Sequence, residues 1–573
     1  MESWTVRYFE ENKDYCLEKL KDRKFWEQVP LLNHITECEP YNNKLIRFKG
    51  MIQDILNPIY YIEQFHVVNT KTSVTSVRSG KYRDRIDLSD DEKILQDTND
   101  KIYQEKYIMR CVQVPGLNSW TKEFKFIDDL SDVSSREEKR KLEESSVTET
   151  NDDQSMEIET DERSKKSSQN NPAEANLAGN SAGSSSSVFS VPIVEEKKGE
   201  QSVILNLYDD EKSNSLHANE VIEVAGFLSL KSDIEGMDED ECSYFNSPII
   251  HVIHVESGSS TFRHMLDLHK EYIFQNACSL RDELWIMLTD ILLGDTLAAD
   301  YLICHLISSV YLRQNHLALG KFSLNISDIP KTIGQCQNFE YVPALYRFLS
   351  HLLEKSVYLP ITIDYLNNTT MIPKKNTEEN RLVTGLLQVS SKTHFVIDET
   401  KLEPGTLGEK GVRNVEALRD IIDSQRIQYD FEYYQLPFVT DCPVLSLSSS
   451  KSLLPSDFHL ILDPDPSCVG SAVNCFERAW KKMQDPLLSR LRFYLSHIST
   501  LNYELTDEMQ KVIEKDFVQM RQDDQKTSSD DLHRLLVLSR FISLSRGHKS
   551  LQNDAWEYAC RMEDQRKCRK SSL

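Results

Sequence analysis

Gly385-Leu-Leu-Gln-Val-Ser-Ser-Lys-Thr-His-Phe-Val-Ile-Asp398-Glu399 reads as an apolar strand ending in two adjacent carboxylates. A carboxylate pair at the end of a buried strand is suited to holding Mg²⁺ and activating a water for attack on a phosphoanhydride. That chemistry also needs a glycine-bearing loop with a lysine to cradle the phosphates. The upstream candidate, Gly294-Asp-Thr-Leu-Ala-Ala-Asp300-Tyr301, has Asp300 where the lysine is needed. The combination predicts a nucleotide-hydrolase scaffold without its chemistry, and so binding rather than turnover.

The 573 residues are too many for one core and imply roughly two to four domains at about 100–200 residues each. Composition is globular, 39% hydrophobic and 28% charged, and the formal net charge of −24 opposes nucleic-acid binding, which relies on Lys and Arg displacing phosphate counterions. A basic protein surface is the better electrostatic partner. Twelve cysteines without a C-x-x-C pair indicate neither a zinc cluster nor a disulfide framework, and fit a reducing compartment. The N-terminus lacks a basic start followed by an apolar stretch. The most apolar helix candidate, Leu284 to Leu293, contains Asp290 and is far shorter than the roughly 20 residues that span a bilayer, so no membrane association is expected.

Residues 1–40 pattern as a helical cap, with one helix over 1–28. Strands follow from Leu45, from Tyr60 to Val68 and from Lys106 to Val114. Residues 129–200 form a Ser-rich, acidic insert with too little apolar surface to offset its ordering entropy. Strands resume at Ser202, His217 and Pro248. The run Val221-Ile-Glu-Val-Ala-Gly-Phe-Leu resembles a later strand of an OB barrel, with a glycine where the barrel bends. Residues 41–128 and 201–256 are therefore read as two parts of one split OB-like β-barrel. Two unrelated β segments around a linker are the alternative.

From Arg281 the period turns helical, with Leu297 to Leu312 as one helix. Strands and helices alternate to about residue 463, as in an α/β layer. Beyond 484 the chain reads as helices over Leu487–Leu495, Thr506–Met520, Ser528–Leu544 and Asn553–Asp564, with a basic tail at 567–573. Thr506 and Ser529 are expected as helix caps.

The order of these landmarks resembles the AAA+ half of the MCM replicative helicases. Gly294 to Leu302 is similar to their G-D-P-x-x-A-K-S-x-L phosphate loop, with Asp295 retained, Asp300 at the lysine and Tyr301 at the Mg²⁺-binding serine. A plain helix N-terminus capped by Asp295 is the other reading of that stretch. Val396-Ile-Asp398-Glu399 resembles the end of C-C-I-D-E. Cys442-Pro-Val-Leu-Ser-Leu-Ser-Ser449 resembles C-S-V-I-A-A-A-N, with Ser449 at the water-positioning asparagine. Leu454-Pro-Ser-Asp457-Phe resembles L-L-S-R-F, with Asp457 at the transition-state arginine, and Asp530-Asp-Leu-His-Arg-Leu-Leu puts Asp530 at a second sensor arginine.

Over nearly its whole length the chain resembles the mini-chromosome maintenance complex-binding protein family. Lys49-Gly-Met-Ile-Gln-Asp, Gly80-Lys-Tyr-Arg-Asp, Val114-Pro-Gly-Leu-Asn-Ser-Trp120, Leu319-Gly-Lys-Phe and the run from Leu293 to Ser308 carry that resemblance. It implies a multidomain α+β protein: the split barrel, a degenerate AAA+-like domain at 257–483 and a lid-like helical bundle at 484–566. It further implies a nuclear, non-enzymatic protein without cofactors that binds MCM helicase subunits, promotes disassembly of their complex from chromatin and supports sister-chromatid cohesion. Two rival expectations stand beside it. One is a single-strand nucleic-acid or chromatin adaptor using Tyr60, Tyr61 and Phe65 of the barrel; the other is a working ATPase with a divergent phosphate loop.

His251 and His254 sit three apart on a strand pattern, which sends their rings to opposite faces rather than to one metal. Lys139-Arg-Lys141 and Arg566-Lys-Cys-Arg-Lys570 have the composition of nuclear-import signals, or of ordinary solvated charge. Ser448 to Ser450 lack the glycine elbow of a hydrolase.

Overall fold

The structure is a computed structural model that describes residues 4–35, 37–84, 88–89, 91–95, 101–123, 202–230, 247–257, 269–314, 317–330, 339–378, 381–523, 525 and 527–571. The insert at 129–200, with Lys139-Arg-Lys141, lies outside the described residues. The chain is a mixed α+β protein with several sheets.

Instead of one helix over 1–28 there are three, α1 (Val6–Glu11), α2 (Lys13–Lys21) and α3 (Arg23–Gln28). The chain breaks at Asn12 (φ −129°, ψ 37°) and at Asp22, where an extended backbone lets the carboxylate cap the Lys24 N–H. The breaks fold Trp4, Phe9, Leu20 and Trp26 onto Ala225 and Phe227 of the first sheet.

That sheet comprises β1 (Leu45–Ile55), β2 (Ile59–Asn69), β3 (Thr75–Ser79), β4 (Glu92–Ile94), β5 (Ile102–Val112), β6 (Val203–Leu207), β7 (Val221–Ser229) and β8 (Ile249–Ser257). Pairing runs β1-β7-β8-β6-β5, and β5 pairs β1 again through Met51↔Val112. Only β6 and β8 in this circuit are parallel. Ile46, Phe48, Met109, Leu205, Val224 and Ile250 form one buried cluster, as the period-2 alternation requires. Gly226 is obligatory there: a Cβ would lie 2.3 Å from the His251 carbonyl oxygen, beside a break in the β7–β8 register. The outer half of β5 pairs β2, which carries β3 and β4 as a ribbon. Short helices α4 (Trp120–Glu123) and α5 (Asp210–Ser215) complete this part.

Next come α6 (Ala277–Ile291) and α7 (Thr296–Leu306), then the hairpin β9 (Leu312–Gln314) and β10 (Leu317–Leu319). The helix expected to reach Leu312 stops at Leu306, and Leu312 opens β9. A five-stranded, wholly parallel sheet follows, formed by β11 (Leu324–Ser327), β12 (Ser356–Pro360), β15 (His394–Asp398), β18 (Val444–Leu447) and β19 (Phe458–Ile461) in the order β12-β15-β18-β11-β19. Its inner strands are buried on both faces, which is why they read as apolar runs without alternation. Helices α8 (Tyr341–Leu352), α9 (Ile363–Asn368) and α10 (Glu409–Ser424) connect the strands. A second sheet, in the order β14-β13-β16-β17, contains β13 (Lys374–Asn376), β14 (Arg381–Val383), β16 (Arg426–Asp430) and β17 (Gln435–Val439).

The C-terminal helices are α11 (Pro466–Gly470), α12 (Ala472–Lys482), α13 (Leu487–Ile498), α14 (Asp507–Asp523), α15 (Ser529–Ser545) and α16 (Asn553–Ser571). Ser528, one residue earlier than expected, caps α15 in a reciprocal box with Asp531. The expected tail at 567–573 continues α16 as far as Ser571. Among the described residues, no helix is long and apolar enough to cross a membrane.

The two sheet regions are hydrogen-bonded to each other. Gln388 Nε2 donates to the Gln53 carbonyl (2.9 Å), Tyr429 Oη to Asn219 (2.8 Å) and Trp120 Nε1 to the Leu353 carbonyl (2.9 Å). The run Val114 to Trp120 is the seam itself, where the Ser356 N–H donates to the Gly116 carbonyl at 2.8 Å.

Candidate functional site

In an open parallel sheet, ligands bind beyond the carboxyl ends of the strands, where strand order reverses. The reversal here lies at β11, between β18 and β19, and Asp398 and Glu399 stand at the carboxyl end of β15, one strand beyond β18. Both carboxylates are committed to protein donors. Asp398 is wholly buried and accepts from Tyr358 Oη (2.5 Å) on β12, from the Thr400 N–H (2.9 Å) and from Thr400 Oγ1 (2.5 Å). Burial, and then the Asp398 charge, push the Tyr358 phenol well above its ordinary range. Glu399 accepts from the Leu453 N–H and Ser452 Oγ, each at 2.9 Å; burial raises its carboxyl, and those hydrogen bonds hold the rise in check.

The geometry therefore makes the pair two clamps: Asp398 joins β15 to β12, and Glu399 fixes the loop after β18. Mg²⁺ needs about six oxygen ligands at close to octahedral geometry. Among the described residues no group of three His, Cys, Asp or Glu side chains is arranged to hold a metal ion. Ser449 lies on the same carboxyl side, just past β18, with its Oγ buried and without a hydrogen-bond partner. Asn325 of β11 reaches the Ser448 hydroxyl at 3.3 Å through Nδ2, while its own Oδ1 is unmatched.

Gly294, Asp295, Asp300 and Tyr301 are elsewhere. Gly294 (φ +90°) turns the chain between two helices, α6 and α7, whereas a phosphate loop leaves a strand. Asp295 is the N-cap of α7, accepting from the Ala298 N–H at 3.0 Å, and is also paired with Arg569. Asp300 binds Arg281 and accepts from Tyr558 Oη at 2.7 Å. Burial lowers the Arg281 guanidinium, but Asp300, joined by Tyr494, Cys304 and Tyr558, leaves it raised on balance. Tyr301 Oη donates to Glu563 (3.0 Å), which Arg566 also engages. All three side chains thus lie against α16, with α7 as a strut buried from Leu297 to Leu306. In the parallel sheet, the strand-loop-helix position belongs to β11 and α8, and residues 331–338 of that loop lie outside the described residues.

Asp457 precedes β19 at the amino edge of the sheet, opposite Asp398, and accepts from the Lys321 ammonium, the Ser323 N–H (3.0 Å) and Ser323 Oγ (2.7 Å). Asp530 is exposed in the first turn of α15. The nine positions thus separate into three at one sheet edge, four on and just before α7, and two isolated ones.

His251 and His254 part as expected. His251 bonds Asp84 (3.0 Å) and Tyr208 Oη (2.7 Å), while His254 lies beside Glu256 and Trp26. Of the three barrel aromatics, Tyr60 is 72% exposed, Tyr61 packs on Tyr208 and Phe65 is buried, so they form no common stacking platform. Two features carry no local sequence signal: Lys355, whose buried ammonium donates to Ser390 Oγ (2.9 Å) and the Ser391 carbonyl (2.6 Å), and the hairpin β16–β17 with its exposed tyrosines.

The family model described as mini-chromosome maintenance replisome factor matches residues 16–570. The chain belongs to that family. A relative from Drosophila melanogaster is 31% identical, with 97% of this chain and 94% of the relative covered. One from Gallus gallus is 33% identical over 97% of this chain and 93% of its own length, and one from Homo sapiens is 31% identical with the same coverage. Each is named mini-chromosome maintenance complex-binding protein. Membership in the replisome factor family spans both sheet regions and the helical end, including the insert that falls between β5 and β6 of the first sheet.

Proposed function

We propose that this protein is a non-enzymatic partner of the MCM helicase that binds its subunits and promotes disassembly of the complex. The observation that carries the reading is the commitment of Asp398 and Glu399 to Tyr358, Thr400, Ser452 and Leu453, in a chain whose full-length relatives are named as MCM complex-binding proteins. The parallel order β12-β15-β18-β11-β19 supports a degenerate AAA+-like domain. The circuit β1-β7-β8-β6-β5 with its single parallel pair supports a split OB-like barrel.

A protein with half of a ring-subunit interface can occupy one face of a subunit while preventing the ring from closing. Binding free energy then drives disassembly by mass action, with no ATP consumed. A nuclear location and support of sister-chromatid cohesion follow from the same reading. Purified full-length protein should retain individual MCM subunits and convert a preassembled complex to subunits in a nonhydrolysable nucleotide analogue. Failure to retain any subunit would sink the proposal. ATP turnover should stay at background in wild type and in Glu399→Gln alike; turnover that the mutation abolishes would restore the ATPase reading.

The single-strand nucleic-acid reading keeps one foothold, since Tyr60 and Tyr103 are 72% and 58% exposed on the ribbon of β2 and β5. Fluorescence anisotropy with labelled single-stranded DNA tests it; tight, salt-sensitive binding would favour it.

A further inference from the structure

The hairpin β16–β17 ends in Asp430-Phe-Glu-Tyr-Tyr-Gln-Leu-Pro437, and its tip carries the most exposed aromatic ring among the described residues, Tyr433 at 88%, beside Tyr434 at 56%. Leu436 and Val439 are 43% and 60% exposed on the strand that follows. Single exposed apolar residues need no explanation, but two adjacent tyrosines at a hairpin tip do; Leu436 lies on one face of β17 beyond them and Val439 on the other.

The tip is held rigid. The Phe431 N–H donates to the Tyr434 carbonyl (3.0 Å), the Tyr433 N–H to the Phe431 carbonyl (2.8 Å) and the Glu432 N–H to Asp430 Oδ1 (2.8 Å). The Tyr434 ring stacks on Phe431 at 5.3 Å and 11°, and Tyr429 packs on Phe438 at 4.1 Å beneath. Glu432 takes a φ of +70°, where glycine is favoured, and its carboxylate accepts from Thr377 Oγ1 (3.1 Å) in the neighbouring β13–β14 turn. A tyrosine on a prepared turn loses little freedom on binding, which makes it an efficient interface anchor.

The tip does not invite strand addition. β17 is the sheet edge, and Pro437, in register with Gln428, removes one backbone donor from it. Recognition must therefore run through side chains. Its charge is net negative: Glu378, Asp430 and Glu432 lie around the turn, against Lys374, which pairs in register with Asp430. A rigid aromatic anchor ringed by carboxylates complements a basic protein surface with an apolar slot.

We propose that the β16–β17 tip, through Tyr433 and Tyr434, is an anchor on a positively charged face of an MCM subunit, an inference that rests on the binding function proposed above. Two rings cover only part of the roughly 800 Å² per partner that a stable interface buries, so the tip is an energetic centre within a larger contact.

The test measures affinity and association rate of the full-length protein for each purified MCM subunit. Tyr433→Ser should weaken binding about tenfold or more with little change in thermal melting, because Tyr433 is 88% exposed and stands outside the stack of Tyr434 on Phe431. Glu432→Lys should slow association several-fold at low salt, with the difference shrinking as salt rises. Wild type that binds a subunit while both variants bind equally well would overturn the anchor and leave the proposed function standing. Wild type that binds none would overturn both, and a loss confined to single-stranded DNA binding would assign the tip to nucleic acid instead.

Discussion

Arg569 grips Asp295 through both terminal nitrogens, at 2.6 and 3.0 Å, and so ties the last helix to the N-terminus of the buried helix α7. Asp295 is also the cap of that helix and accepts from the Asp463 N–H at 2.9 Å. Its side chain is 0% exposed and that of Arg569 22%. Removing one member of such a pair leaves a buried charge without compensation.

Arg569→Ala should therefore cost about 3 kcal/mol, the low end for a broken buried pair, because two backbone N–H groups still serve the carboxylate. Asp295→Ala combined with Arg569→Ala should cost clearly less than the sum of the two single changes. Urea midpoints of the four proteins decide the matter. A fully additive cycle would mean that the contact contributes nothing.

Tyr358→Phe should destabilise by about 2 kcal/mol, the value of a hydrogen bond to a charged acceptor. The hydroxyl's partner, Asp398, has no exposure through which water could replace it. Thermal unfolding of the variant checks this, and an unchanged transition would free Asp398 for another role.

Acid should weaken the fold in a window set by His305. Burial pushes its imidazole down to about 4, partly offset by its hydrogen bond to the Phe322 carbonyl, and burial with the neighbouring His305 also holds His394 well below its ordinary range. The unfolded chain titrates near 6.5, so it takes up the proton first. Stability is complete above that value and falls as pH drops from about 6.5 towards 4, by about 3 kcal/mol for His305 alone. Melting temperature against pH should bend near 6.5 in wild type, and the bend should shrink in His305→Asn. Asp84, driven up by burial but held at about 2 chiefly by its hydrogen bond to His251, acts lower: its contribution is present above the ordinary carboxylate range and lost as pH falls towards 2.

Gly116→Ala should loosen the seam between the two sheet regions. Gly116 sits at φ +71°, and a Cβ there would approach Val357 Cγ2 to 2.9 Å and the Ser356 carbonyl to 3.1 Å. The conformation alone costs about 1–2 kcal/mol for a non-glycine residue. Hydrogen exchange should accelerate at Ser356 and Asn118, whose N–H groups bond across the seam. Unaltered protection there would show that the seam tolerates a side chain.

Much of the fold was legible because its signals are local. The strands begun at Leu45, Tyr60, Lys106, Ser202, His217 and Pro248 all form, displaced by a few residues, since alternation survives any choice of pairing partner. The strand ending in Asp398 and Glu399 was equally plain. The phosphate-loop resemblance at Gly294 had a local source too. A glycine at positive φ followed by a capping aspartate is chemically the same whether a strand or a helix comes before it, and here a helix does.

By itself the sequence determined the acidic balance, the split of β segments around a polar insert, the helical end and the absence of a lysine at Asp300, all properties of composition and short-range pattern. Tertiary structure alone decided that Tyr358 and Ser452 occupy the carboxylates, that Asp295, Asp300 and Tyr301 serve the last helix, and that Tyr433 faces water. Those outcomes depend on partners 40 to 274 positions away along the chain or on which strand lies at a sheet edge. No local periodicity encodes such distances, because they are set by how whole elements pack.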